Sequence, residues 1–86
     1  MEPFTVQSDP RKRVRFSHHA RQRMRERGIT EAQVRGAILK AQIRAPTADG
    51  KRTRARFHMA GRVLEVIYAE NPDRIVVVTV VWSKIE

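Results

Sequence analysis

Three basic or titratable side chains recur at every fourth position in one short segment of this 86-residue chain. They are His19, Arg23 and Arg27, and residues four apart in an α-helix lie above one another on the same face. An imidazole titrates near neutral pH, and a guanidinium group binds phosphate oxygens through a planar fork of donors. We call these three residues the helix column, and their types suit chemistry at a phosphodiester.

Metal-free cleavage of RNA is the reaction that these side chains would serve. It needs a base for the 2′-hydroxyl proton, an acid for the leaving 5′-oxygen, and cations for the charge developing on the phosphate. His19 is the candidate acid–base group, Arg23 and Arg27 are candidate phosphate clamps, and the hydroxyl of Thr79 is a candidate for orienting the phosphate. The alternative is a solvated basic helix face without a ligand, with Thr79 as an ordinary strand residue.

The segment that carries the helix column has both helix ends marked in the sequence. Ser17 is a favourable N-cap because its hydroxyl can accept a hydrogen bond from the first turn. Gly28 can adopt the left-handed conformation that closes a helix. Ala20 and Met24 share a neighbouring stripe, so we expect them to pack inward.

A second helix is predicted directly after the first. Thr30 and Gln33 have the spacing of a capping box. The apolar residues that follow recur with the spacing of an amphipathic helix and are Val34, Ala37, Ile38 and Ala41. We interpret this helix as scaffold for a sheet and not as part of a catalytic site.

The second half of the chain predicts β-strands. Residues 52–59 alternate, which places on one face the candidate nucleic-acid contacts Arg52, Arg54, Arg56 and His58. Apolar strands over 63–68 and 75–82 follow turns at 60–61 and 71–73. The predicted class is therefore α+β, with two N-terminal helices packed on a three- to four-stranded antiparallel sheet.

The sequence of the N-terminal region allows two interpretations. Residues 1–10 are predicted to form a mobile arm, and the basic residues that follow alternate with Val14 and Phe16. This pattern fits either a short edge strand or a basic tail, in which Arg13 and Arg15 are further candidate nucleic-acid contacts. We therefore divide the chain into a basic arm or edge strand over 1–15 and one α+β domain over 16–86.

The predicted strand from Ile75 to Trp82 should be covered by another segment or by another protein chain. It is apolar on both faces, and an exposed edge of that kind invites pairing with another chain. Either the Val14 segment or a partner should cover it. A homodimer through this strand and an acidic partner protein are both expected candidates.

Charge and composition limit the function classes. The net charge is +9, and residues 11–62 hold sixteen Lys or Arg against three acidic residues, which points to a polyanion such as RNA. With no cysteine and only three histidines, we expect neither a metal site nor a cofactor. No apolar run reaches transmembrane length, so we expect a cytoplasmic protein that does not enter a membrane.

The first helix and the residues that flank it resemble a known family. The residues that match the family pattern are Phe16, Ser17, His19, Ala20, Arg23, Met24, Arg27, Gly28, Ile29 and Thr30. With the Gly61–Arg62 hairpin and the Val77–Val80 ending, this pattern resembles the DUF4258 family of small bacterial proteins. That family looks related to toxin ribonucleases of the RelE and BrnT type, which act on RNA and are covered by a cognate antitoxin.

The resemblance implies a toxin-like endoribonuclease of a toxin–antitoxin system, restrained by an acidic antitoxin. The alternative from the residues alone is a non-catalytic nucleic-acid-binding module, in which the arginines only contact the backbone and affinity falls steeply with salt. A third candidate is an adaptor whose basic face docks on an acidic protein. The sequence is thus compatible with an enzyme and with a binding protein.

Overall fold

Two capped helices form in a computed structural model that describes residues 12–84, and the predicted mobile arm over residues 1–10 lies outside this range. Helix α1 spans His18–Arg27 and helix α2 spans Glu31–Lys40. Ser17 Oγ accepts a hydrogen bond from the Ala20 amide at 3.0 Å. Gly28 closes α1 with φ of 67°.

The capping box of α2 forms as predicted. Thr30 Oγ1 accepts from the Gln33 amide at 3.1 Å, and Gln33 Oε1 accepts from the Thr30 amide at 2.9 Å. These bonds satisfy two donors that a helix start would otherwise leave unpaired. Both helix starts are therefore fixed by side chains within three residues of the cap.

Five strands make one mixed sheet. They are β1 (Arg13–Phe16), β2 (Ile43–Pro46), β3 (Thr53–Met59), β4 (Arg62–Glu70) and β5 (Arg74–Lys84). The order across the sheet is β1-β5-β4-β3-β2. Strand β1 runs parallel to β5, and the other neighbours are antiparallel.

This sheet differs from the three- to four-stranded antiparallel sheet that the sequence predicts. The α+β class with two helices is correct, but β2 and the parallel pairing of β1 were not predicted. Strand β2 has only four residues and includes Pro46, so it lacks an alternation pattern. The direction of β1 is set by a neighbour about sixty positions along the chain, which no local pattern records.

Both helices pack on the same face of the sheet. The main core cluster combines residues of α1 and α2 with alternate residues of β3, β4 and β5. Its largest fully buried side chains include Tyr68, Ile38 and Leu64. Burial of apolar side chains of this size contributes about 1.5–3 kcal/mol each, so this face is the stable platform of the domain.

A bulge in β5 sits beside the N-terminus of α1. Ile67 of β4 pairs with Thr79, whereas the next residue pairs with Val77, so Val78 is the extra residue. The Ser17 hydroxyl donates to the Val78 carbonyl at 2.9 Å, and the Ser17 amide donates to the Val77 carbonyl at 2.9 Å. Ser17 therefore caps α1 and also fixes it to the sheet.

The opposite face of the sheet is not covered by a helix within residues 12–84, and we call it the open face. Strand alternation and register place on it Arg13, Arg15, Arg54, Arg56, His58, Glu65, Ile67, Arg74, Val76, Thr79 and Val81. Among the described residues, no helix is long and apolar enough to cross a bilayer.

Candidate nucleic-acid interface

The helix column lies on α1, with its imidazole directed to solvent. His19 and Arg27 are exposed and Arg23 is half-buried, while Ala20 and Met24 are buried against the sheet. The His19 imidazole has no hydrogen bond or ion pair with any residue of the described part of the chain. The column thus presents its imidazole at an exposed surface position.

One carboxylate engages both arginines of the helix column. Glu26 Oε1 lies 2.8 Å from Arg23 Nη1 and 3.9 Å from Arg27 Nη1. The Arg23 hydrogen bond is the main reason that the pKa of Glu26 falls below its usual range, and a bond from Gln22 adds to it. At neutral pH the column therefore carries a bound counter-ion and is less available to an external phosphate.

Thr79 is not brought to the helix column. It pairs with Ile67 on the open face, across the sheet from α1. There it lines a cleft of about 380 Å³ together with the loop that joins β2 to β3, including Asp49 and Arg52. The four residues proposed together for catalysis are therefore divided between two sides of the sheet.

Strand β3 places its basic residues on the open face. Arg54, Arg56 and His58 alternate with Ala55, which is fully buried under the helices. Arg52 precedes the strand and lies in the loop beside Thr79. The guanidinium groups of β3 are partly exposed, so they can reach a ligand laid across the sheet.

Glu65 is a member of this surface that sequence reasoning did not name as a site residue. Its Oε2 lies 2.8 Å from Arg54 Nε, and its Oε1 lies 3.9 Å from Arg56 Nε. The side chain is only 16% exposed, which makes it the most covered carboxylate among the ion pairs described. Its signal in the sequence is that it is the single charge within the apolar run over 63–68. In the structure it pairs in register with Arg56.

A second arginine group lies across the open face, at its β1 edge. Arg13 of β1 is paired in register with Arg74 of β5, and Arg15 follows two residues later on the same face. With Asp73 these side chains line a cleft of about 230 Å³, which we call the charged cleft. Within residues 12–84, no carboxylate lies within 4 Å of these three guanidinium groups.

Arg74 was also missed as a site residue, since it begins a strand in the more acidic C-terminal part of the chain. Only the pairing of β1 with β5 brings it beside Arg13. Guanidinium groups on β1, β5 and β3 of one face can bind phosphate oxygens in forked geometry. No group of three potential His, Asp or Glu metal ligands occurs in the part of the chain that the structure describes.

Comparison with known proteins places the chain in a family. A sequence model for a domain of unknown function, DUF4258, matches residues 16–82, from the last residue of β1 to Trp82 in β5. The chain belongs to the DUF4258 family. The match includes the whole helix column and β3, whereas Arg13 and Arg15 lie before it. No curated protein and no solved structure matches this DUF4258 chain.

Proposed function

We propose that this DUF4258 protein binds RNA through phosphate contacts on the open face. The observation that carries the proposal is the gathering of six basic side chains on a sheet face that no helix of residues 12–84 covers, namely Arg13, Arg15, Arg54, Arg56, His58 and Arg74. The acidic residues of this face are Glu65, Asp73 at the β1 edge and Asp49 in the loop beside Thr79. Such an excess favours a polyanion.

The geometry of the sheet supports more than one phosphate contact. Strands β1 and β3 are separated by β5 and β4, so the two arginine groups are about 14 Å apart in the direction across the strands, and the registers also offset them along the strands. Between them lies an apolar strip that includes Ile67, Val76 and Val81. A single strand laid across the sheet would meet guanidinium groups on β1 and on β3 and apolar surface between them.

Salt dependence of RNA binding tests the proposal. The double variant Arg15→Gln/Arg54→Gln should weaken binding and reduce the slope of log affinity against log salt by about 1.4, or 0.7 for each lost contact to a single strand. The control is Arg25→Gln/Arg35→Gln, which removes the same charge from exposed helix positions. Equal effects of both double variants would contradict a specific role for the open face.

The second candidate function is metal-independent RNA cleavage by a toxin-like endoribonuclease that uses His19. The exposed imidazole, without a polar partner in residues 12–84 and one turn from Arg23, favours it. The proposed relation of DUF4258 to RelE and BrnT toxins also supports it. The distance of Thr79 from the column argues that any phosphate there would be held by the two arginines alone.

The adjacent histidines provide a matched test of cleavage. His18 and His19 are both exposed, but only His19 is in register with Arg23 and Arg27. In the presence of a chelator, His19→Ala should lower the cleavage rate by about 10²–10⁴-fold while His18→Ala retains it. If the wild-type protein binds RNA and leaves it intact, the enzyme proposal fails and the binding module remains.

A protein partner is proposed at β5. Strand β1 pairs only with Arg74–Val77, so within residues 12–84 the same edge of β5 has no neighbouring strand beyond Val78. This edge suits strand addition by an acidic antitoxin-like protein or by a second copy, through the part of the Ile75–Trp82 strand that follows its pairing with β1. Sedimentation of the purified chain distinguishes the two, because a homodimer forms without an added partner.

A further inference from the structure

The charged cleft has the construction of a site for one anion. Arg13 and Arg74 are cross-strand neighbours, and Arg15 projects to the same face two residues along β1. Their side chains and Asp73 surround a cleft of about 230 Å³. It is separate from the Arg54–Glu65 pair, because Glu65 pairs with Val81, seven positions along β5 from Arg74.

The electrostatics of the cleft are unfavourable without a ligand. Like charges directly opposite each other in neighbouring strands are destabilising. None of the three arginines has a carboxylate within 4 Å among residues 12–84. Glu70 of β4 pairs in register with the buried Ile75, on the helix side of the sheet, and is engaged there by Lys12 at 2.7 Å. A bound anion would relieve this repulsion and occupy the forked donors of several guanidinium groups at once.

Charge distinguishes which anion fits. The three arginines and Asp73 give the cleft lining a net charge of +2. A phosphodiester inside a nucleic-acid strand carries a single negative charge, whereas a terminal phosphate carries about −1.5 to −2 at pH 7. We propose that the charged cleft binds the terminal phosphate of a nucleic acid, an inference that rests on RNA being the ligand of the open face.

This assignment sets the direction in which a bound RNA strand would cross the open face. The chain end would be held at the β1 edge, and the following nucleotides would cross β5 and β4 toward Arg54 and Arg56 of β3. Forked charge-assisted hydrogen bonds are stronger than neutral ones and are sensitive to geometry. Arg74 is central to the site because it comes from β5 and faces Arg13 across the strand pair.

One oligonucleotide in three forms tests the site. A labelled RNA of fixed sequence is prepared with a 5′-phosphate, with a 3′-phosphate, or with hydroxyl groups at both ends, and binding is measured at constant salt. One phosphorylated form should bind about tenfold more tightly than the hydroxyl form, as expected for charge-assisted bonds. Arg74→Gln should remove this preference, and Arg15→Gln, in the other strand, should reduce it.

The control is Arg35→Gln, which removes one charge from the exposed surface of α2 and should keep the preference for the phosphorylated end. Equal binding of all three RNA forms to the wild-type protein would overturn the terminal-phosphate assignment while leaving RNA binding intact. A preference that survives Arg74→Gln and Arg15→Gln would also overturn it. Circular dichroism verifies that both variants are folded.

Inorganic phosphate separates failure of the cleft from failure of the proposed function. If no RNA form binds, the proposed function fails, and calorimetry with inorganic phosphate then tests the cleft directly. Phosphate binding that Arg74→Gln abolishes would show a site for a free phosphate and overturn the nucleic-acid end as its ligand. Absence of phosphate binding in that case would overturn the cleft as an anion site altogether.

Discussion

The helix column and the open face both carry positive charge, but they differ in whether a carboxylate lies beside the arginines. In the column, Glu26 lies on the same helix as Arg23 and Arg27, so the counter-ion is built into the local sequence. On the open face, arginines come from three strands, and those of the charged cleft have no carboxylate within 4 Å among residues 12–84. Basic residues at regular spacing therefore do not by themselves identify the surface that is available to a ligand.

The two regions also differ in how they are supported. The column depends on one short helix that is fixed to the sheet by the Ser17 bonds to Val77 and Val78. The open face is the reverse side of the strands that form the core, with Ala55 and Val66 buried beneath it. The position of the column can thus be disturbed separately, whereas the open face changes only when the sheet does.

The largest effect on folding stability is expected when the bonds that fix the column to the sheet are removed. Ser17→Ala deletes the α1 cap and the hydrogen bond to the Val78 carbonyl, and loss of a cap alone costs about 1 kcal/mol. We expect the free energy of unfolding, measured with urea, to fall by about 1–2 kcal/mol. The control Thr30→Ala removes a cap without a bond to the sheet and should cost less; an equal or larger cost would contradict the anchoring role of Ser17.

The difference between local and non-local support also explains what the sequence could predict. Both helices and their caps follow from bonds between residues three apart, as at Ser17 and Thr30. The basic face of β3 follows from simple alternation around the buried Ala55. In these elements the deciding interactions lie within one segment, so residue order was sufficient.

The remaining features depend on partners that are distant in the chain. Arg74 joins Arg13 only because β1 enters the sheet parallel to β5. Thr79 shows the same limit within one strand: alternation from Ile75 and Val77 would place it toward the helices. The extra residue Val78 reverses that alternation and places Thr79 on the open face. A bulge is set by pairing with β4, which local sequence does not display.

A charge-only change on the open face sharpens the comparison. Glu65→Gln keeps the shape and an acceptor for Arg54 but removes the negative charge that neutralises Arg54 and Arg56. RNA affinity should rise by about three- to tenfold, with a steeper salt dependence. The matched control is Glu31→Gln, which releases Arg21 and Arg35 on the helix side and should change affinity less. Equal gains would mean that only net charge matters.

The smallest effect on RNA affinity is expected when the carboxylate of the helix column is neutralised. Glu26→Gln releases Arg23 and Arg27, and if RNA lies on the open face its affinity should change less than in Glu65→Gln. An increase as large as that of Glu65→Gln would place the column within the RNA interface and strengthen the case for cleavage at His19.

Acid titration gives an independent check on the Glu26 pair. The hydrogen bond from Arg23 lowers the pKa of Glu26, so the folded state favours the ionised carboxylate. The resulting stabilisation is present above the usual glutamate pKa and is lost as pH falls through the lowered value. Because Glu26 is exposed, the difference in unfolding free energy between the wild type and Glu26→Gln should be small at neutral pH and should disappear in acid. A nuclear magnetic resonance titration of Glu26 that shows an ordinary pKa would mean that the pair does not persist in solution, and the column arginines would then be as available as those of the charged cleft.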